Sequence, residues 1–363
     1  MKNNMFPSSL LLNGKKVLLK DLLCLKSEDL LWWEKEFIEF LKQWYSDKDF
    51  INVNTSGSTG TPKKISLKKD FVANSAIRTI NYFHLKECAR VLHCLPSRYI
   101  AGKLMIVRAL IGKLDLYLAD PSDPLYSFEN YDFQFAAMVP NQMIKIIDST
   151  EGDKKLHHFH QLLLGGSSIP SSLEKRLSLS SVSCYVGYAM TETATHIAIR
   201  AINGSDDGEW YSCMENVKVE LSNKGCLKIY EPGLPGGFLQ TTDLAELKDN
   251  YTFRILGRSD NIIISGGIKY SPELIEKKIE KDIPGLFMIS CLPHEILGQQ
   301  IVLIIEGSRD KEVKQNIEKI CHDKLDKYEV PRQFIFIYKI PQTPGGKLDR
   351  NAVKKYLKTN FKS

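Results

Sequence analysis

The chain reads as an α/β protein: a large N-terminal domain of helix-covered sheets with a small β-barrel-like part, then a small α+β domain at the C-terminus. Three observations predict this. Short apolar runs rich in β-formers alternate with helical patterns through the first two-thirds of the sequence. From residue 218 to 254 the pattern changes to short strands and turns. Beyond residue 258 the succession helix, strand, strand, helix, strand fills a segment of roughly a hundred residues, a common domain size. The spacing therefore divides the chain into 1–258 and 259–363.

The elements follow in order. Phe50-Ile51-Asn52-Val53 reads as a short strand and 71–82 as a helix, so the residues between them read as a strand-to-helix loop. The runs at 89–95, 114–119, 135–139, 161–164 and 182–186 are short, apolar and bounded by turn residues, as sheet strands are. The runs at 217–221, 225–230 and 253–256 make the barrel-like part or meander. Ser271-Pro272-Glu273 opens a helix over 271–281, with a hydroxyl at the cap position and proline in the first turn. Strands at 288–292 and 300–306, a helix at 311–325 and a strand at 333–338 complete the second domain.

With 363 residues, 43% hydrophobic and 25% charged, the composition is that of a globular protein with ample core for two domains. The net charge of +6 suits anionic small molecules; no concentrated basic stripe points to nucleic acid. Lys63, Lys64, Lys68 and Lys69 read as a solvated helix face. No apolar run approaches a bilayer span and the first residues lack a signal-peptide core, so no stable membrane insertion and a cytoplasmic location are expected. Eight scattered cysteines without a C-x-x-C pair read as reduced thiols. A homo-oligomer is compatible with the composition.

The richest segment chemically is Thr55-Ser56-Gly57-Ser58-Thr59-Gly60-Thr61-Pro62-Lys63, in which five of nine residues carry hydroxyls. Glycines let backbone N–H groups turn inward, hydroxyls add donors and the lysine adds charge, a good cradle for phosphate. Composition alone is equally consistent with a flexible linker. A Walker loop is disfavoured, because no Gly-Lys-Ser/Thr stands in register.

Six further patches follow. Gly165-Gly166-Ser167 ends an apolar strand. Tyr188-Ala189-Met190-Thr191-Glu192-Thr193 presents a ring, a hydroxyl and a carboxylate at another strand end, a frequent ligand position. Glu192 is a candidate Mg²⁺ ligand or an exposed acid in a helix's first turn. Asp243, after Thr241-Thr242, suits a ribose diol, with Arg258 in Gly257-Arg258-Ser259-Asp260 beside it in role. Ile264-Ser265-Gly266-Gly267-Ile268-Lys269 is a glycine-hinged loop, and Pro341-Gln342-Thr343-Pro344-Gly345-Gly346-Lys347-Leu348-Asp349-Arg350 sets a lysine on a turn.

Seven patches in this order, from Thr55 to Arg350, resemble the signature series of the adenylate-forming superfamily, which includes acyl-CoA synthetases, peptide-synthetase adenylation domains and luciferases. The resemblance implies an acyl-AMP made from a carboxylate and MgATP, then acyl transfer to a thiol such as that of CoA. By similarity, Thr55 to Lys63 wrap the β- and γ-phosphates, Tyr188 stacks on adenine with Gly165, Gly166 and Ser167 on its other side, and Thr191 contacts phosphate. Glu192 ligates Mg²⁺, Asp243 and Arg258 hold the ribose, and Lys347 bridges the carboxylate and α-phosphate. Asp260 matches the hinge of a mobile C-terminal domain, whose rotation withdraws Lys347 and brings Gly266, Gly267 and Lys269 to a pantetheine channel. A non-catalytic nucleotide-binding homologue is the contrasting class.

Two more patches bear on the acid. Leu95-Pro96-Ser97-Arg98-Tyr99-Ile100-Ala101-Gly102 with Val107-Arg108-Ala109-Leu110, and Met138-Val139-Pro140-Asn141-Gln142, resemble the o-succinylbenzoate–CoA ligases of menaquinone biosynthesis. Arg108 falls in an apolar run where a charge needs a partner. The resemblance implies that it serves the second carboxylate of the diacid, with Tyr99 and Gly102 lining the same site; a snorkelling arginine is the alternative. Another aryl or acyl acid remains open at this level. Tyr99 stands where many members carry histidine, Ala189 and Thr242 replace usual glycines, and the chain is shorter than typical members. His157-His158-Phe159-His160 reads as a solvated loop, not a metal tract.

Overall fold

The computed structural model describes residues 5–54, 64–125, 128, 131–203, 209–308, 310–343 and 348–361. They form two compact units. The first holds the chain as far as Val217 together with Tyr230–Gly237; the second holds Lys218–Ile229 and the chain from Phe238 onward.

In the first unit, strands β1 (Ser9–Leu12), β2 (Lys15–Leu18), β5 (Arg90–His93), β6 (Asp115–Leu118), β7 (Phe135–Met138), β8 (Gln161–Leu164), β9 (Ser183–Ala189), β10 (His196–Ala201) and β11 (Tyr211–Cys213) lie in the order β11-β10-β9-β8-β7-β5-β6-β1-β2; the numbering leaves room for a separate hairpin, β3 (Phe50–Asn54) and β4 (Lys64–Lys68). The pairs from β1 through β9 along this order are parallel, and the margins are antiparallel at β1–β2, β9–β10 and β10–β11. Parallel strands are covered on both faces, which is why β7 is buried at every position of Phe-Ala-Ala-Met. The covering helices are α1 (Trp32–Trp44), α2 (Lys69–Tyr82), α3 (Ile100–Gly112), α4 (Pro140–Asp148) and α5 (Ser171–Ser178). Helix α3 is apolar apart from Lys103 and Arg108, and Gly102 through Leu110 are all buried. Trp44 closes α1 with its ring fully buried and its Nε1–H donating to the Met5 carbonyl at 3.1 Å.

The hairpin corrects one expectation. The segment 55–63 joins two antiparallel strands, Asn54 opposite Lys64, and does not lead straight into a helix. Lys-Ile-Ser-Leu-Lys alternates with period two, so Leu67 is buried while Lys64, Ser66 and Lys68 face out. The lysines are therefore not one helix face. Lys69, at the start of α2, is buried; its Nζ donates to the Ser46 carbonyl at 2.6 Å, and burial lowers its pKa.

The second unit contains β12 (Lys218–Leu221), β13 (Cys226–Tyr230), β14 (Phe238–Asp249) and β15 (Thr252–Arg258) in sequential order, a meander. A second sheet holds β16 (Ile263–Ser265), β17 (Ile268–Tyr270), β18 (Phe287–His294), β19 (Gly298–Glu306) and β20 (Gln333–Ile337), covered by α6 (Pro272–Ile279), α7 (Lys311–Lys324) and α8 (Arg350–Asn360). Strand β19 is buried on both faces. Ile301, Leu303 and Ile305 meet Ile275, Ile279, Ile317 and Cys321 on one side, while Val302 and Ile304 meet Val353 and Leu357 on the other. The meander belongs to this unit, so the compact bodies divide earlier than residue 258. The physical link is local: Ser271 Oγ donates to the Leu256 carbonyl at 2.8 Å, and a Cβ at Gly257 would stand 2.3 Å from that same hydroxyl. Ser271 does occupy the cap position of α6, with Pro272 beginning the helix, but its hydroxyl serves β15 and not the helix N-terminus.

At the end of β5, His93 is buried, its Nε2 2.9 Å from Ser97 Oγ, and burial pushes its pKa down to about 3. An unfolded histidine takes a proton near pH 6.5, whereas this one does not until far lower. Its contribution is complete above pH 6.5 and is lost as pH falls towards 3. Denaturant titrations should show His93→Gln flattening the acid limb of the stability profile by about 1.4 kcal/mol per pH unit in that window. An unchanged acid limb would rule out a neutral buried His93.

Candidate active site

The carboxyl ends of the parallel strands of the first unit share one edge, where open α/β sheets hold ligands. β5 leads into 94–99 and the start of α3, β7 into Val139 and Pro140, β8 into Gly165 and Gly166, and β9 into Met190, Thr191 and Glu192. The structure thus gathers Tyr99, Gly102, Gly165, Gly166, Ser167, Tyr188, Thr191 and Glu192 along this edge. β8 and β9 are neighbours, Leu164 opposite Val186, which sets Gly165 beside Gly187 and Tyr188. Among the described residues a Cβ on Gly165 would meet only the Gly187 carbonyl, at 3.8 Å, so they do not demand the flat backbone there. Gly166 has φ of +86°, a left-handed conformation that suits glycine. Tyr188 is half-buried, with its ring 5.9 Å from that of Tyr211. The turn after β9 is pinned by Thr193, whose hydroxyl contacts Met190 and Thr195, leaving Thr191 and Glu192 half-exposed at the edge.

Gly102 has a packing role: a Cβ there would stand 2.4 Å from the Pro96 carbonyl oxygen and 2.7 Å from that of Leu95. Arg98 reaches Glu36 at 3.0 Å and lies over the Tyr99 ring at 5.2 Å. Gln142 is a clamp. Its Nε2 donates to the Cys94 and Pro121 carbonyls at 2.7 and 2.8 Å, and its Oε1 accepts from Val139 N.

Arg108 sits in the middle of α3 at 1% exposure, which removes the snorkelling alternative. Nη2 donates to Thr195 Oγ1 at 3.2 Å, Nε has no partner, and no carboxylate pairs with the side chain among the described residues. Burial pulls its pKa down to about 9, so it stays charged at neutral pH. Nearby, Arg78 on α2 is paired with buried Glu231, whose pKa burial raises against the pull of that arginine. Between these arginines lies His196 at the start of β10, held well below its ordinary pKa by burial and then by Arg108 and Arg78. Sequence reasoning missed Thr195, His196, Arg78 and Glu231; the one signal was a charge in the apolar run of α3, which required polar neighbours from elsewhere.

In the second unit, Asp243 and Arg258 lie opposite each other in the β14–β15 ladder, with Arg258 Nη1 3.5 Å from Asp243 Oδ1. Arg258 also grips Asp260 through Nε and Nη2 at 3.0 and 2.8 Å and donates to Thr242 Oγ1 at 2.7 Å. That grip holds the Asp260 carboxyl below its ordinary pKa. Thr242, in place of glycine, is thus a partner of Arg258. Gly266 and Gly267, with φ of +58° and +82°, make the two-residue turn between β16 and β17, a hairpin geometry that favours glycine at both positions; Lys269 is exposed on β17. Thr55 to Lys63 and Lys347 lie outside the described residues. The residues flanking the last of these are well held: Gln342 and Leu348 form an antiparallel bridge, and Arg350 meets Glu276 at 2.5 Å and the Ile289 carbonyl at 3.1 Å. His158 Nδ1 contacts the Tyr131 carbonyl at 3.0 Å, and no group of three or more His, Cys, Asp or Glu suited to a metal occurs among the described residues.

Comparison with known proteins gives one family match, the AMP-binding enzymes, over residues 14–233. A 2-succinylbenzoate–CoA ligase of Geobacillus sp. (strain WCH70) is 23% identical over 357 residues, covering 90% of this chain and 73% of the relative. Among solved structures, an acyl-CoA synthetase (AMP-forming)/AMP-acid ligase II-like protein from Dyadobacter fermentans is 30% identical, with 94% of this chain and 97% of that one covered and a TM-score of 0.62. The o-succinylbenzoate coenzyme A synthetase of Bacillus subtilis, in complex with ATP and magnesium ion, is 20% identical, with 90% and 78% covered and a TM-score of 0.71.

The two edge glycines should separate by experiment. Gly102→Ala, which drives a methyl into backbone carbonyls, should cost about 1–3 kcal/mol in chemical denaturation. Gly165→Ala should keep wild-type stability and raise the KM for ATP. Equal destabilisation by both changes would remove Gly165 from the ligand-facing set.

Proposed function

The chain belongs to the AMP-binding enzyme family, and from that premise we propose that it is an AMP-forming acid–CoA ligase. It converts o-succinylbenzoate, ATP and CoA to o-succinylbenzoyl-CoA, AMP and diphosphate through an acyl-adenylate. The observation that carries the choice of acid is Arg108: a buried, charged guanidinium whose Nε is unpartnered and which has no carboxylate among the described residues. A cation so placed is costly unless an anion completes it. A diacid that activates one carboxylate retains another to do so.

In the first half-reaction an oxygen of the succinyl carboxylate attacks the α-phosphorus and the bond to diphosphate breaks. No general base is needed, because the nucleophile is already an anion. Lys347, by its place in the sequence, offsets the charge gathered between carboxylate and α-phosphate, where excluded water makes an ammonium most effective. Residues 55–63 receive the β- and γ-phosphates, Thr191 contacts phosphate, and Tyr188 with Gly165, Gly166 and Ser167 brackets adenine. Asp243 accepts from the ribose hydroxyls with Arg258 alongside. Glu192 fits a magnesium ligand: it is half-exposed beside Thr191, and magnesium takes one or two carboxylates with phosphate oxygens, so a cluster of three protein ligands is not required. When bound, the ion neutralises phosphate charge. In the second half-reaction the CoA sulfur attacks the acyl carbon and AMP leaves. The segment after Asp260 rotates between the two steps, dividing the chain functionally at 258/259, and Gly266, Gly267 and Lys269 line the thiol's approach. Among the described residues no helix is long and apolar enough to cross a membrane.

Diphosphate release measured across a panel of acids with ATP and CoA tests the reading; release with no acid, or equally with simple benzoates, would refute it. Arg108→Leu should raise the KM for o-succinylbenzoate about 10–100-fold, the size of one charged hydrogen bond of ~1.5–3 kcal/mol. Lys347→Ala should lose adenylate formation in stopped flow yet still transfer the acyl group from supplied acyl-AMP to CoA. Loss of both steps together would count against that role.

A further inference from the structure

A hydrogen-bonded file runs from Arg108 into the first unit, and the arginine fixes the direction of the bond at its own end. Arginine can only donate, so Thr195 Oγ1 must accept from Nη2, at 3.2 Å. At the other end Thr79 Oγ1 lies 3.1 Å from the Ser75 carbonyl, four residues earlier in α2. A carbonyl can only accept, so a Thr79 hydroxyl that bonds it spends its single proton there. Between them His196 places Nε2 3.3 Å from Thr79 Oγ1 and Nδ1 3.2 Å from Thr195 Oγ1. Thr79 can then serve Nε2 only as an acceptor, which puts the ring proton on Nε2. Nδ1 is left with a lone pair, and it takes the Thr195 hydroxyl proton. Thr195 in turn shows Arg108 only lone pairs. Ser75, Thr79, Thr195 and His196 are all buried, so water does not compete for these bonds, and Gly187 makes room for the imidazole, since a Cβ there would come within 3.1 Å of the His196 Cβ.

We propose that His196, with its proton on Nε2, is a positioning residue for acid specificity: it orients the Thr195 hydroxyl, which holds one arm of Arg108 and leaves Nε–H for the second carboxylate of the acid. This rests on the reading of Arg108 given above. His196 itself touches neither substrate nor nucleotide in this role. Its loss frees the Thr195 proton to point at Arg108, where it competes with Nη2 and lets the guanidinium turn.

Two measurements test this. In ¹⁵N-histidine spectra of the wild-type protein, the resonance that disappears in His196→Phe should carry the Nε2–H tautomer pattern; an Nδ1–H pattern overturns the proposal. Thr79→Val, which keeps shape and the imidazole but removes the acceptor, should shift that resonance towards the other tautomer. Kinetically, His196→Phe should raise the KM for o-succinylbenzoate about tenfold with the KM for ATP within twofold. It should also reduce by about the same factor the preference for o-succinylbenzoate over 4-oxo-4-phenylbutanoate, which lacks the ring carboxylate. Thr195→Ser should retain that preference and Thr195→Val lose it. Preference unchanged in His196→Phe, or KM for ATP and for both acids rising together, would leave His196 only a packing role. Should the wild-type protein fail to activate o-succinylbenzoate, the reading of the acid falls, while the tautomer spectra still judge the hydrogen-bond file.

Discussion

Arg108 is buried in the first unit with no carboxylate beside it among the described residues, whereas Arg78, half-buried on α2, is paired with Glu231. This imbalance organises what surrounds it. A histidine between two arginines is held neutral. A neutral histidine can pass hydrogen-bond direction from one hydroxyl to another without adding charge, so Thr79, His196 and Thr195 satisfy each other while Arg108 retains its Nε. Replacing the file with apolar groups would strand Arg108 altogether; adding an acid beside it would satisfy the cation internally and remove its use for an anion. A buried cation without an acid beside it is costly, and that cost is what motivates the proposed role of Arg108.

The second unit holds a different device, a network of polar contacts around the start of α8. Arg350, at the start of α8, is held by Glu276 and the Ile289 carbonyl and approaches Glu273 at 3.5 Å. Glu273 also accepts from Asn261, and Lys354 reaches the Asp260 carbonyl. One chain of polar contacts therefore joins Asp260 to α8. Burial lifts Glu276 to about 7 even though Arg350 draws it down, a sign of how little water reaches this brace.

Local patterns carried far into this structure. The strands at β5 through β9 and the succession from α6 to β20 follow from apolar period and turn residues alone. The failures are equally instructive. β4 was read as a loop and lysine face, because five residues with two apolar positions are too short for periodicity to speak above the charges. Ser271 occupies its cap position but gives its hydroxyl to Leu256, a partner that cap statistics cannot supply.

The family, the order of its motifs and the need of Arg108 for a partner were settled by the amino-acid sequence, since motif spacing and the charge of one residue in an apolar run are local properties. Which groups answer that need was decided by tertiary packing. Thr79, Arg108 and His196 come from α2, α3 and β10, and no spacing rule relates them. Hydrogen-bond direction in such a file depends on which atoms packing brings within about 3 Å, and on what lies at its ends.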